Sequence, residues 1–261
     1  MKHRFALSAL ALVACMSPDR PRHGGTDSEI VFGVGITKTP EGKTVTSAGW
    51  DILVLGGRGS SIAIYDERDR DCIVEDLATR VGNPKVDHGH ATWKGGKLPG
   101  AGLEIWANQI DEPVTDGPGW ATGDVLTFES TGFAAPDVGP VQIGAASAEL
   151  VVKAPAADGP LTVPRGVDFV ATWDPGTPAP DDRIMVSFET DAKKQIRCFF
   201  DRSKGTGAVP RDLLQPFPAG TKGTFALKTH RQVAGSAGGD AWTVYLVATT
   251  THREQSFTFG D

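Results

Sequence analysis

The 261-residue chain has three cysteines, Cys15, Cys72 and Cys198, so no dense disulfide framework holds it together. Apolar runs are short: the one from Phe5 to Ala14 has ten residues, against about 20 needed to cross a bilayer as a helix. Positive charge is also scarce. The formal net charge is −6, and apart from Arg20 and Arg22 no basic patch follows the N-terminal segment. Attraction to phosphate or anionic lipid is therefore weak, and nucleic acid is not an expected partner. There is no Gly-x-Ser-x-Gly elbow and no His-Glu-x-x-His pair, so hydrolase chemistry has no foothold in local motifs. Helical periodicity is lacking as well; no segment is long or regular enough for a confident helix.

The first fifteen residues carry the clearest signal. Lys2, His3 and Arg4 precede the apolar run, which closes on Leu12-Val13-Ala14-Cys15. A charged start, a short apolar core and small residues before a cleavage point form a secretory signal, and the last four residues resemble the bacterial lipobox. Residues 1–14 are thus expected to be a lipoprotein signal peptide, with Cys15 lipidated and anchoring the chain to a membrane, several acyl chains holding far more durably than one. Met16 stands where an Asp would favour inner-membrane retention. The expected location is the cell envelope, as an outer-membrane lipoprotein. Losing residues 1–14 removes Lys2 and Arg4 but no acid, taking the net charge from −6 to −8.

Glycine and proline are plentiful, 32 and 18 residues, without the period of collagen or the low hydrophobicity of disorder. Residues 15–28 are rich in turn formers and read as a flexible tether; thirteen of them span at most about 40 Å. From Glu29 to Lys153, short apolar runs alternate with turn clusters: Ile30–Ile36, Trp50–Leu55, Ser61–Tyr65, Ala91–Lys94, Leu103–Ala107, Val125–Glu129 and Val141–Val152. Such spacing predicts a β-rich domain. A Pro/Ala/Gly linker over 154–160 leads to a second domain over 161–261. There, Val167, Phe169, Ala171 and Trp173 alternate with polar neighbours, and Ile184, Val186 and Phe188, then Ile196, Cys198 and Phe200, then Phe225 and Leu227, then Trp242, Val244, Leu246 and Ala248 repeat the pattern. Five inward sets suit an immunoglobulin-like sandwich. Pro210 before Arg211-Asp212-Leu213-Leu214 predicts one helical turn. The fold class is therefore all-β, with two β-sandwich-like domains.

Leu161 to Trp173, Ile196-Arg197-Cys198-Phe199-Phe200-Asp201, Gly207 to Leu214 and Gly239 to Val244 together resemble a set of uncharacterised myxobacterial secreted lipoproteins. The likeness runs from about Gly123 to the end and extends faintly to Ala91-Thr92-Trp93-Lys94-Gly95-Gly96. It implies a lipobox, two β-rich portions and placement at the surface or in the periplasm, and brings no catalytic residues with it.

With Cys15 lipidated, Cys72 and Cys198 either bridge or stay as thiols; alternation places Cys198 on a buried strand face. His88 and His90 would share one side of a strand, a workable metal bite, and with Gly82 they resemble half of the cupin motif. The cupin glutamate would fall at Lys94 or Gly95, so a surface turn is the plainer reading. Asp66 to Asp71 alternates acids with arginines and lacks the glycine and distant glutamate of a calcium loop. Gly56 to Ser61 lacks the phosphate-loop lysine and precedes a strand pattern. Trp50, Trp93, Trp106 and Trp120 sit beside strand-like residues and are expected in the core; exposure on one face would point to carbohydrate. No cofactor is implied. The expectation is a non-catalytic envelope protein that displays β-sandwiches to a protein partner, the alternative being a module for polysaccharide or a divalent metal.

Overall fold

The computed structural model describes residues 28–39, 41–54, 72–76, 89–106, 113–132, 137–156, 159–178, 181–237 and 242–261. The signal peptide, Cys15, residues 16–27 of the tether, the runs from Gly56 to Asp71, and His88 lie outside the described residues. The strands, in chain order, are β1 (Ser28–Lys38), β2 (Thr44–Val54), β3 (Cys72–Asp76), β4 (His90–Gly95), β5 (Leu103–Trp106), β6 (Val114–Asp116), β7 (Val125–Thr131), β8 (Val138–Gly144), β9 (Val152–Ala154), β10 (Leu161–Pro164), β11 (Phe169–Trp173), β12 (Arg183–Thr190), β13 (Lys194–Asp201), β14 (Thr206–Val209), β15 (Lys222–Ala237) and β16 (Trp242–Gly260). A single helical turn, α1 (Arg211–Leu214), follows Pro210. The Asp168 carboxylate accepts from the Arg211 backbone N–H at 2.9 Å, satisfying one of the donors that a helix start leaves open. The protein is all-β, as its short alternating runs predict.

Among the described residues the strands form one nine-stranded sheet, ordered β3-β13-β12-β15-β16-β1-β2-β6 with β10 also on β16, plus the smaller sheets β14-β11-β9 and β5-β4-β7-β8. Two cores result. The first gathers Ile30, Phe32 and Val34 of β1 against Trp93, Leu103, Ile105, Leu126 and Phe128 of the four-stranded sheet, with Trp120. The second gathers Phe188, Ile196, Phe225, Leu227, Phe257 and Phe259 against Phe169, Ala171 and Trp173.

The long hairpin β15–β16 belongs to both. Phe225 and Leu227 fill the second core, while Val233 and Ala237, further along the same strand, pack on the first. All four are odd-numbered, so both cores lie on one face of the large sheet. On β16 the parity changes: Val244, Leu246 and Ala248 serve the first core, Phe257 and Phe259 the second. The register explains it, since Leu227 faces Arg253 and Lys228 faces Thr251, leaving His252 as an extra residue. One bulged residue inverts the side-chain alternation beyond it. Without it, the two phenylalanines would turn away from their core. β1 runs parallel to β16 along Trp242–Thr250 and β10 along Phe257–Gly260, end to end on the same edge.

This arrangement corrects the division at 154–160. Val233, Ala237, Val244, Leu246 and Ala248 come from the stretch assigned to a separate C-terminal domain, yet they complete the N-terminal core. Strand β9 also reaches into the supposed linker and pairs with β11. Long-range pairing, to which local composition is blind, decided the outcome. Two smaller expectations also shift. Val167 precedes β11 and is exposed. β12 and β13 are buried on both faces, with Met185 and Phe199 opposite the core side.

Candidate functional site

Where the two cores meet, the hairpin carries polar residues. The carboxylate of Asp182, just before β12, is fully buried. Its Oδ2 accepts from the Ser147 hydroxyl and from Arg202 Nη1 at 3.1 Å, and its Oδ1 lies 4.0 Å from Arg231 Nη1. Arg202 also donates from Nε to the Pro175 carbonyl and from Nη2 to the Glu149 carbonyl, each at 3.2 Å. Its own carbonyl accepts the Trp173 indole N–H at 2.7 Å. Each of the three Arg202 nitrogens has an acceptor, which makes burial of this ion pair tolerable. Asp182 Oδ1 is buried without a hydrogen-bond partner among the described residues and has only the Arg231 guanidinium near it.

The bulge residue His252 completes the seam. Thr229 Oγ1 donates to the Ser147 carbonyl at 2.7 Å and lies 3.0 Å from His252 Nε2. A hydroxyl has one hydrogen to give, so the imidazole is the donor to Thr229 and carries its proton on Nε2. Burial, reinforced by the positive charge of Arg202 and opposed by the Ser147 carbonyl, lowers the His252 pKa to about 4. The ring is neutral near neutral pH.

Above this seam lies a cleft of about 1040 Å³. One wall is β8, with Val138, Val141 and Ile143; the other is the upper part of β15, from Arg231 to Ala237, with Val244 and Leu246 behind it. Asp181, Asp182, Arg183 and Lys204 lie at its seam end. Its origin is topological. β12 pairs with β15 over Gly223–His230 and then stops. Beyond that point, among the described residues, no strand pairs with the Arg231–Gly235 edge. β8 approaches closely only near the seam, where a side chain on Gly144 would collide with the Arg231 guanidinium at 2.7–2.9 Å.

The residues singled out in the sequence fall elsewhere. Cys72 and Cys198 face each other on β3 and β13, are joined by a disulfide with their Cα atoms 3.9 Å apart, and pack on the second core. The His90 ring stacks on Trp106 at 4.0 Å, with Glu104 Oε2 3.7 Å from its Nε2. Among the described residues, no three metal-ligating side chains converge. Trp93 and Trp120 are core residues, and Trp120 donates to the Ala146 carbonyl at 2.8 Å. Trp106 departs from the core expectation: alternation in β5 sends Leu103 and Ile105 inward and leaves Trp106 48% exposed. The side chain of Trp50 lies outside the described residues.

Sequence reasoning missed the seam. Asp182, Ser147 and Arg202 are scattered and belong to no motif. One signal was present in the switch from even apolar positions up to Ala248 to odd ones from Phe257, with the polar run Thr249 to Glu254 between them.

No protein-family model matches the chain, and no curated protein matches it. Among solved structures, it is similar to the chicken CNTN1 FN1–FN3 domains, with 11% identity over 87% of this chain and a TM-score of 0.23. The chain spans 66% of that chain's length. So low a TM-score carries no argument, and the architecture rests on the strand pairings. No described helix is long and apolar enough to cross a membrane.

Proposed function

We propose that this is a lipid-anchored protein of the cell envelope, non-catalytic, that binds a protein partner by accepting an extended segment in the cleft beside β15. The observation that carries the reading is the Arg231–Gly235 edge, which has no strand partner among the described residues and faces a large cleft. An unpaired strand edge offers main-chain donors and acceptors to an incoming strand. Proteins that avoid such pairing guard their edges with charge, proline or bulges. Here Arg-Gln-Val-Ala-Gly has one charge, and that guanidinium is held against Gly144 and Asp182. Val138, Val141 and Val233 offer apolar contact to alternate side chains of a guest strand.

The lipobox and the resemblance to secreted lipoproteins support anchoring at Cys15. The non-catalytic reading is supported by the state of the seam groups: Asp182 is bonded to Ser147 and Arg202, and neutral His252 is engaged with Thr229. A photo-crosslinking residue at exposed Ala234 should capture one discrete partner in intact cells, whereas the same residue at exposed Val170, on β11, should not. Equal capture at both positions, or none at Ala234, contradicts the proposal.

A further inference from the structure

The outward face of the four-stranded sheet carries an arrangement that the cleft does not use. Strand register sets its rows: Trp106, His90 and Thr131 lie side by side across β5, β4 and β7, and Glu104, Thr92 and Glu129 form the next row. Lys94 follows on β4, its ammonium bonded to Glu129. The alternate residues of these strands, among them Trp93, Ile105 and Phe128, fill the core, so the sheet beneath is rigid. The face includes a hollow of about 420 Å³ lined by His90, Thr92, Lys94, Glu104, Glu129 and Thr131, within the size range of small-ligand sites.

We infer that this face binds a neutral carbohydrate, with Trp106 as the platform for one pyranose ring. The indole is backed by the imidazole of His90, their planes 23° apart, which fixes its orientation before any ligand arrives. An indole face carries negative potential and attracts the weakly positive C–H groups on the apolar side of a sugar. Within one or two strand spacings, each about 4.8 Å, the Glu104 and Glu129 carboxylates accept from ring hydroxyls, while Lys94 donates. Charge complementarity selects the ligand class. Lys94 pairs with Glu129, and the Glu104 and Asp137 carboxylates add negative charge at the same hollow, so the face does not attract an anionic polymer. A single exposed indole among polar groups also lacks the apolar cluster of a protein-binding hot spot. A molecule that is apolar on one side, hydroxylated around its rim and uncharged fits both conditions.

Affinity electrophoresis of the chain from Met16 onward, in gels containing laminarin or mannan, together with titration by cellohexaose and chitohexaose, tests this. Retardation or saturable binding with at least one of the four is expected. Trp106→Ala should weaken it by about tenfold or more, the scale of one lost aromatic contact, and Glu104→Gln by a smaller factor. Thermal unfolding of Trp106→Ala, whose indole is half exposed, provides the folding control. Ala234→Lys, in the cleft, should leave sugar binding intact, which separates this site from the protein-binding reading. Binding of none of the four by the native chain, or binding that Trp106→Ala leaves unchanged, overturns the inference.

Discussion

The two cores are built on the same hairpin, yet they close in different ways. The second has β12 against the lower half of β15 and β13 beyond it, a disulfide from β13 to β3, and a dense set of rings in which Phe188 meets Phe169, Phe225, Phe257 and Phe259. The first has Phe32, Trp93 and Phe128 packed as tilted rings in its centre, while among the described residues its flank along β15 has no strand and opens into the cleft. The closed core gives the hairpin a rigid base. The open one presents the hairpin's upper edge, so one end of this pair of strands is closed for stability and the other carries the edge proposed for recognition.

The seam is where this comparison breaks most readily. Arg202→Ala should cost about 3–5 kcal/mol, because it removes the cation hydrogen-bonded to the buried Asp182 carboxylate and leaves only the more distant Arg231; urea unfolding measures the loss. Removing the disulfide with Cys72→Ala/Cys198→Ala should cost about 2–4 kcal/mol. That substitution acts inside the closed core, so a selective loss of cleft binding at unchanged stability would contradict its structural role.

His252 gives the seam a pH dependence. Its pKa in the folded protein is about 4 against an ordinary 6.5, so between those values the unfolded chain holds the extra proton and stability falls as pH falls. The full shift corresponds to about 3 kcal/mol lost between pH 6.5 and pH 4. His252→Gln keeps a donor for Thr229 but does not titrate. The difference in unfolding free energy between the native chain and this variant should therefore change by about that amount across the window, and a constant difference contradicts the assignment. The smallest stability effect belongs to the open edge. Ala234→Lys should alter stability by no more than about 0.5 kcal/mol while abolishing co-purification of the partner that the crosslink at position 234 identifies, because a charged side chain guards a strand edge.

Much of the local structure was legible before the fold was known. Short apolar runs located β1 and β4, alternation located β11 and β12, Pro210 marked the helical turn, and apolar spacing fixed the all-β class. The division into cores was not legible, because β15 and β16 look like ordinary strands of one sandwich until their lengths, 16 and 19 residues, and the parity change at His252 are considered together. Trp106 was legible in principle: counting two residues at a time from Leu103 places it outward. Asp182, Ser147 and Arg202 were not, since a buried ion pair assembled from three distant segments leaves no periodic trace.

The central claim is that one bulged hairpin unites both cores, and scanning calorimetry of the chain from Met16 onward tests it most directly. The shared strands predict a single transition in which the calorimetric and van't Hoff enthalpies agree, and they predict that Arg202→Ala shifts this transition as a whole. Two separable transitions, only one of them moved by Arg202→Ala, would show that the cores are independent domains and contradict the account.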